Sequence, residues 1–243
     1  MEELPLTAFL NKYFAGVALA LLNALHITPE HHKHPITNTV AMELLVFVLL
    51  TLFFLLVRSR LSVENPGGLQ HVVEGLHGFI QGQSDEIIGH HSEPYTPFLV
   101  SLFIFILLCN LIGLIPGFES PTADPAVPLG CAVISFLYYN LMGVRKQGPL
   151  RYALHFTGPV WWLAWLMLPI EIISHLARML SLTIRLFANM FAGDMVTLVF
   201  FSLVPLGVPV LFLGLHIGVS FLQAYIFVLL VTVYLAGAVE TAH

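Results

Sequence analysis

Five long apolar stretches, which together occupy more than half of the chain, constrain this sequence more than any other feature. They cover residues 37–57, 97–117, 126–144, 160–203 and 209–239. Hydrophobic residues make up 58% of the 243 positions and charged residues only 9%, so the chain cannot cover a folded surface with polar side chains. Because about 20 apolar residues suffice for a helix to cross a bilayer, the sequence predicts an all-α polytopic membrane protein.

The last two stretches are longer than a perpendicular crossing requires. A helix over all 44 residues from 160 to 203 would be about 66 Å long, at about 1.5 Å per residue. We therefore expect a hairpin of two long tilted helices, with its turn over residues 204–209. The first three stretches are predicted to cross the membrane nearly perpendicularly.

The remaining segments are predicted to lie outside the membrane core. Residues 66–91 mix polar with apolar side chains at three- and four-residue steps, which is typical of an amphipathic helix on the membrane surface. Residues 1–35 are predicted to form an extracytoplasmic N-terminal segment, whose apolar part from Phe14 to Leu25 is too short to span. Residues 36–243 then form a single membrane domain.

The charges of the connecting loops predict the orientation. The loop after the second stretch carries only the acidic residues Glu119 and Asp124, whereas the loops after the first and third are basic, with Arg58, Arg60, Arg145, Lys146 and Arg151. Basic loops are retained in the cytoplasm. The N-terminus is therefore predicted outside the cell and the C-terminus in the cytoplasm.

A polar stripe runs along the fourth stretch. Each charge at the centre of a spanning helix costs about 2.5–3.5 kcal/mol on insertion scales, so charges kept there indicate a function. At about 100° per residue, one narrow stripe contains Glu171, His175, Arg178, Leu182, Arg185 and Asn189, with Ser174 at its edge and Asp194 on another side. Such a stripe faces protein or water rather than lipid.

The last stretch carries a second polar set. His216, Ser220 and Gln223 share one helix face, and we expect His216 at the depth of Asp194 and Gln223 close to the depth of Arg185. One polar route would thus start outside and end near Arg185. A second would lead from Glu171 and Ser174 to the cytoplasm.

Arg185 lies where the two predicted routes meet. An arginine keeps its charge in proteins, so it cannot relay protons, but it blocks direct passage of cations and attracts a carboxylate. At an effective dielectric constant near 20, this attraction is about 4 kcal/mol at about 4 Å. A carboxylate on a moving partner would release its proton beside Arg185. The chain is therefore predicted to guide protons, or another small cation, through the bilayer.

Four motifs resemble subunit a of the F-type ATP synthase. They occupy residues 108–117, 121–124, 180–194 and 215–227, and the resemblance extends over about residues 36–240. The Asp194/His216 arrangement is similar to that of bacterial and plastid members. Some members of the family carry an acid where Gly113 stands, and Asn110 or Asp124 are the candidates to replace it.

The resemblance implies a stator subunit in the bacterial plasma membrane, with two offset half-channels beside a rotating ring of c subunits. Arg185 would face the ring carboxylate. The outer half-channel would contain Asn189, Asp194, His216 and Gln223, and the inner one Glu171 and Ser174, while Asn110 would either line a channel or join helices. Other implied partners are b-type peripheral stalk subunits and the soluble head. Leu182 and Phe187 are expected to face the ring.

Several alternatives remain open from the sequence. Arg185 could pair with Asp194, Arg178 with Glu171, and His175 could be structural. A metal-transporting secondary carrier or an arm of a redox pump would also place ionisable residues in the membrane. No nucleotide motif, cofactor site or nucleic-acid surface is predicted, and the cluster His31–His34 is expected in a solvated loop. The resemblance places the carboxylate that selects between H⁺ and Na⁺ on the partner ring, so both ions stay open here.

Overall fold

The protein is all-α, as predicted. A computed structural model describes residues 4–24, 35–59, 61–62, 67–89, 92–115, 118–149, 152, 164–203 and 208–239. Seven α-helices can be bounded there: α1 (Pro5–Ala24), α2 (Asn38–Ser59), α3 (Gly68–Ile88), α4 (Thr96–Ile112), α5 (Ala126–Gln147), α6 (Ala164–Leu203) and α7 (Val208–Val239). A short 3-10 helix, Pro121–Ala123, precedes α5. These ranges contain no β-strand. The division into an N-terminal segment, 1–35, and a single membrane domain, 36–243, stays a prediction.

Four of the described helices, α2, α5, α6 and α7, are long and apolar enough to cross a membrane, and α4 is a shorter apolar helix. The helix α6 has 40 residues, so it is about 60 Å long. It therefore exceeds a perpendicular crossing, as the length of its apolar stretch indicates. Several predicted features lie outside the described residues: the turn at 204–207, the histidines at 31–34, and two of the loop arginines, Arg60 and Arg151.

The helix α4 ends at Ile112, five residues before the end of its apolar stretch. The chain turns back here, and a Cβ added to Gly113 would lie 2.7 Å from Cβ of Ser120. The Ser120 hydroxyl donates to the carbonyl of Cys109 at 3.1 Å. This close approach requires glycine at position 113.

The core lies where α4, α5, α6 and α7 pack together. Its largest fully buried side chains include Phe103 of α4, Leu186 and Met190 of α6, and Phe227 of α7. The two cysteines, Cys109 and Cys131, are buried and unpaired, as expected for thiols in apolar stretches.

Two helices pack at the edges of this bundle. The helix α3 contacts α4 and α7, and its Gln83 accepts a hydrogen bond from the Tyr225 hydroxyl of α7 at 2.9 Å. The helix α1 begins at Pro5, before the apolar stretch, and Asn11 exchanges two hydrogen bonds with the backbone of Ile36. These contacts fix α1 to the start of α2.

Candidate functional site

An acid and a histidine meet between α6 and α7. The distance from Nε2 of His216 to Oδ1 of Asp194 is 3.7 Å. The His216 side chain is 3% exposed and that of Asp194 is 29% exposed, so the acid has access to the surface and the histidine does not. Among the described residues, neither ring nitrogen of His216 has a hydrogen-bond partner. The ring is therefore available to exchange protons with the acid beside it.

Gly193 allows the histidine to approach α6. A Cβ at position 193 would lie 3.0 Å from both Cε1 and Nδ1 of His216. This is tighter than ordinary van der Waals contact, so any side chain there would move the ring. Helical periodicity does not single out Gly193, whose signal in the sequence is a glycine directly before a membrane carboxylate.

A second polar pair connects the two helices closer to Arg185. The amide nitrogen of Asn189 donates to Oε1 of Gln223 at 2.7 Å. Gln223 is buried, and its own amide nitrogen has no hydrogen-bond partner within the described ranges. Because Asn189 lies one helical turn after Arg185, this pair continues the polar series from Asp194 towards the guanidinium.

Arg185 is half-buried, and its guanidinium donates to the Ser181 hydroxyl at 3.4 Å. Among the described side chains, the ion pairs are those of Glu171 with His175 and of Asp194 with His216, and neither involves Arg185. The alternative in which Arg185 pairs with Asp194 is therefore wrong in this structure. The guanidinium remains able to attract an acid from another chain.

Arg185 lies at the border between a buried and an exposed face of α6. Leu182 and Leu186 are buried on one side of it, whereas Ile184, 59% exposed, and Ala188 lie open on the other. The expectation that Leu182 faces a partner is wrong, because this side chain packs into the core with α4 and α7. The outward face beside Arg185 is apolar.

Towards the other end of α6, Glu171 is joined to a histidine. The distance from Oε1 of Glu171 to Nε2 of His175 is 3.4 Å, and Nδ1 of His175 lies 2.9 Å from the Tyr139 hydroxyl. Ser174 lies partly exposed on the same turn. Arg178 does not pair with Glu171; its guanidinium lies over the ring of Tyr234, 5.3 Å from the centroid.

Asn110 is fully buried and joins three elements. Its amide nitrogen donates to the carbonyl of Ser220 in α7 at 3.2 Å, and its oxygen accepts from the Thr122 hydroxyl at 2.7 Å. Asp124 accepts hydrogen bonds from the Thr39 hydroxyl and the backbone nitrogen of Ala126. These contacts favour structural roles for both residues. In the described part of the chain, no three His, Cys, Asp or Glu side chains could hold a metal ion.

The fold and this arrangement define a class of protein, a bundle of membrane helices with acid–base groups on either side of the Arg185 guanidinium. Among the described residues, no acid forms an ion pair with this guanidinium. The sequence matches the family model "ATP synthase A chain" over residues 40–236. It is 57% identical over 242 residues to ATP synthase subunit a of Koribacter versatilis, covering 100% of this chain and 99% of that protein.

Other relatives carry the same name. Identity is 52% over 233 residues to ATP synthase subunit a of Solibacter usitatus, covering 96% of this chain and 99% of that protein. Identity is 41% over 217 residues to ATP synthase subunit a of Geobacter sulfurreducens, covering 89% of this chain and 94% of that protein. The chain belongs to the ATP synthase subunit a family, the proton-translocating stator component of the F-type ATP synthase. It is therefore an integral membrane subunit of a larger complex.

Proposed function

We propose that Arg185 separates two half-channels, each built from a polar group described above. The outer one contains Asn189, Asp194, His216 and Gln223, with Asn110 supporting it from α4, and the inner one contains Glu171 and Ser174. The Asp194–His216 contact of 3.7 Å and the Asn189–Gln223 hydrogen bond of 2.7 Å support the outer route. The half-exposed Glu171 supports the inner one.

The observation that carries this proposal is the position of Arg185. A cation in a membrane helix needs a compensating group, and none of the acids in the described ranges lies within ion-pair distance of it. The apolar face next to Arg185 is exposed, which fits a partner made of membrane helices. We infer that this partner is the c-subunit ring and that it supplies the carboxylate.

The proposed cycle couples proton flow to movement of the ring. A ring carboxylate takes a proton from the outer half-channel and moves into the lipid as a neutral acid. When the acid returns to Arg185, the guanidinium stabilises its ionised form by about 4 kcal/mol at about 4 Å, which favours release of the proton into the inner half-channel. Each charge that crosses 100 mV delivers about 2.3 kcal/mol, so several crossings are needed for each ATP. ATP chemistry takes place in other subunits.

Further subunits of the complex and the orientation of the chain in the membrane complete the proposal. We infer b-type peripheral stalk subunits and the soluble head as further partners of the complex. Arg58 lies in the last turn of α2, and Arg145 and Lys146 lie in the last turn of α5, so these two helix ends carry the positive charges that are typical of a cytoplasmic side. We propose the bacterial plasma membrane, with the N-terminus outside and the C-terminus in the cytoplasm.

The substitution Arg185→Ala tests the proposal. It should abolish ATP synthesis driven by a proton gradient in membrane vesicles, because the ring carboxylate loses the charge that makes it release its proton. Arg58→Ala, an exposed arginine at the end of α2, is the matched control and should leave synthesis unchanged. Native gel electrophoresis checks assembly. Normal synthesis by a fully assembled Arg185→Ala complex would show that the proposal is wrong.

A further inference from the structure

Three side chains form a chain of contacts at the inner end of α6, and the half-channels proposed above use only one of them. The Tyr139 hydroxyl of α5 lies 2.9 Å from Nδ1 of His175, and Nε2 of His175 lies 3.4 Å from Oε1 of Glu171. Tyr139 is buried and the His175 side chain is 12% exposed, whereas Glu171 is 37% exposed. The chain thus leads from the helix interface to the surface.

The chemistry of these groups determines which atom donates a hydrogen and which atom accepts it in each contact. An ionised carboxylate only accepts hydrogen bonds, so the nitrogen that faces Glu171 must carry a hydrogen. In a neutral imidazole the other nitrogen is then an acceptor, and the Tyr139 hydroxyl donates to it. The opposite tautomer would place a lone pair of Nε2 against the carboxylate.

Packing holds the histidine in this orientation. Its ring stacks on that of Tyr139, with 5.9 Å between centroids and 21° between planes, and the edge of Phe136 lies against it. The charged or titratable groups nearest this chain are Arg178 of α6, Tyr234 of α7 and Tyr152. Arg178 lies over the ring of Tyr234, so it is engaged on another helix.

A small cavity adjoins Tyr139. It has a volume of about 10 Å³ and is lined by Ser135, Arg178, Leu182 and Tyr234 among others. This is about the space that one water molecule needs. Leu182 is one turn before Arg185, so the cavity extends from Tyr139 in the direction of the guanidinium.

We propose that Tyr139 and His175 are positioning residues for the inner half-channel. Tyr139 fixes the tautomer of His175, and His175 directs its Nε2 hydrogen at Glu171, which holds that half-exposed carboxylate in one place at the end of the route. This inference deepens the proposed function and rests on it. It gives a role to His175 and Tyr139, which are not among the proposed half-channel residues.

The test uses the whole ATP synthase in inverted membrane vesicles, where the bath reaches the cytoplasmic face. ATP-driven proton pumping is followed with a pH-sensitive dye over a range of bath pH. Tyr139→Phe keeps the stacked ring but removes the hydrogen bond to Nδ1 of His175, and His175→Leu keeps the volume but removes both ring nitrogens. Each should slow pumping about five- to tenfold, as expected for the loss of about one hydrogen bond, and displace the pH of half-maximal pumping.

Two further variants separate positioning from packing. His175→Gln retains an N–H donor close to the place of Nε2 and should recover most of the pumping rate, which His175→Leu cannot. Tyr138→Phe is the matched control, because Tyr138 stacks on Phe98 of α4 and is not in the chain of contacts; it should pump like the wild type. Native gels check that every complex is assembled.

The outcomes distinguish this inference from the proposed function. Wild-type rates and pH profiles in Tyr139→Phe and His175→Leu would overturn the positioning role. So would equal losses in His175→Gln and His175→Leu, since packing alone would then explain them. Arg185→Ala is measured in parallel: if it still pumps, the proposed function fails. If it does not pump while Tyr139→Phe is unaffected, only the present inference fails.

Discussion

His216 is buried between two membrane helices, yet neither of its ring nitrogens has a hydrogen-bond partner among the described residues. A buried polar group with unsatisfied hydrogen-bonding capacity costs about 1–3 kcal/mol, so this histidine does not favour stability. The carboxylate of Asp194 at 3.7 Å suggests another use for it. At the scale of the residue, this pair has the chemistry of a proton relay.

Replacing either member of the pair should slow proton uptake without unfolding the protein. Asp194→Asn and His216→Ala each remove a titrating group, and a reduction of about 100-fold is expected if both act as acid–base groups in the route. Proton uptake by vesicles stripped of the soluble head measures the effect. Ser202→Ala is the control, because its exposed hydroxyl donates to the carbonyl of Val199, away from this pair. Wild-type uptake in both variants would exclude the pair from the route.

Gly193→Ala should impair the same step through the position of the ring. Its Cβ would meet the imidazole of His216 at 3.0 Å, which would push the ring away from α6. We expect proton uptake to fall about tenfold, since small displacements of a reacting group are costly. Gly214→Ala is the control, because a Cβ there meets no atom within 4 Å. Equal uptake in the two variants would contradict a positioning role for Gly193.

At the scale of the helix, buried hydrogen bonds hold α4 against α7. Asn110 is the central residue, since it contacts the carbonyl of Ser220 and the hydroxyl of Thr122 at once. The early end of α4 at Ile112 and the close contact of Gly113 with Ser120 bring the 3-10 helix within reach of it. Asn110 thus joins the end of α4 to the 3-10 helix and to the middle of α7.

Asn110→Leu should destabilise this unit. The substitution breaks two hydrogen bonds and leaves a hydroxyl and a carbonyl without their partner, at a cost of about 1–2 kcal/mol. Thermal denaturation of the purified complex should show a lower midpoint than the wild type. Ser101→Ala is the control, since its hydroxyl is exposed and bonds only within α4. A variant with unchanged thermal stability but reduced proton uptake would indicate that Asn110 lines the channel instead.

At the scale of the whole molecule, α6 leaves much of its apolar surface uncovered. In the most apolar 18-residue segment of α6 only 11% is buried, compared with 44% in the corresponding segment of α7. The other helices pack against one side of α6, and Arg185 lies at the border of the uncovered side. The bundle thus presents a long apolar face, with a cation at its edge, to another membrane component.

Cysteines on this face should cross-link to the c ring. Ile184→Cys and Ala188→Cys are exposed next to Arg185 and should form disulfide or bifunctional-reagent products with cysteines on ring helices. Leu186→Cys is the control, because this position is fully buried on the opposite side and should give no product. Products are detected by electrophoresis and mass spectrometry. Failure at both exposed positions would place the ring against another face.

Local properties of the chain determined much of the fold. Runs of apolar residues need no knowledge of neighbours to predict helices, because the bilayer requires each segment to satisfy its own backbone hydrogen bonds. The length of α6 and the set of polar residues along it also follow from the sequence, since both depend only on helix geometry. The family resemblance, which the comparisons confirm, is likewise carried by motifs within single helices.

Only the tertiary structure decided which of these helices meet and how each is rotated. It paired Asn189 with Gln223, turned Leu182 into the core, and brought Tyr139 of α5 to His175 of α6. It also ended α4 at Ile112, where the returning chain brings Ser120 too close to Gly113 to leave room for a side chain. These outcomes depend on close packing between residues far apart in sequence. Helical periodicity predicts which residues share a helix face, but it does not predict which other helix that face contacts.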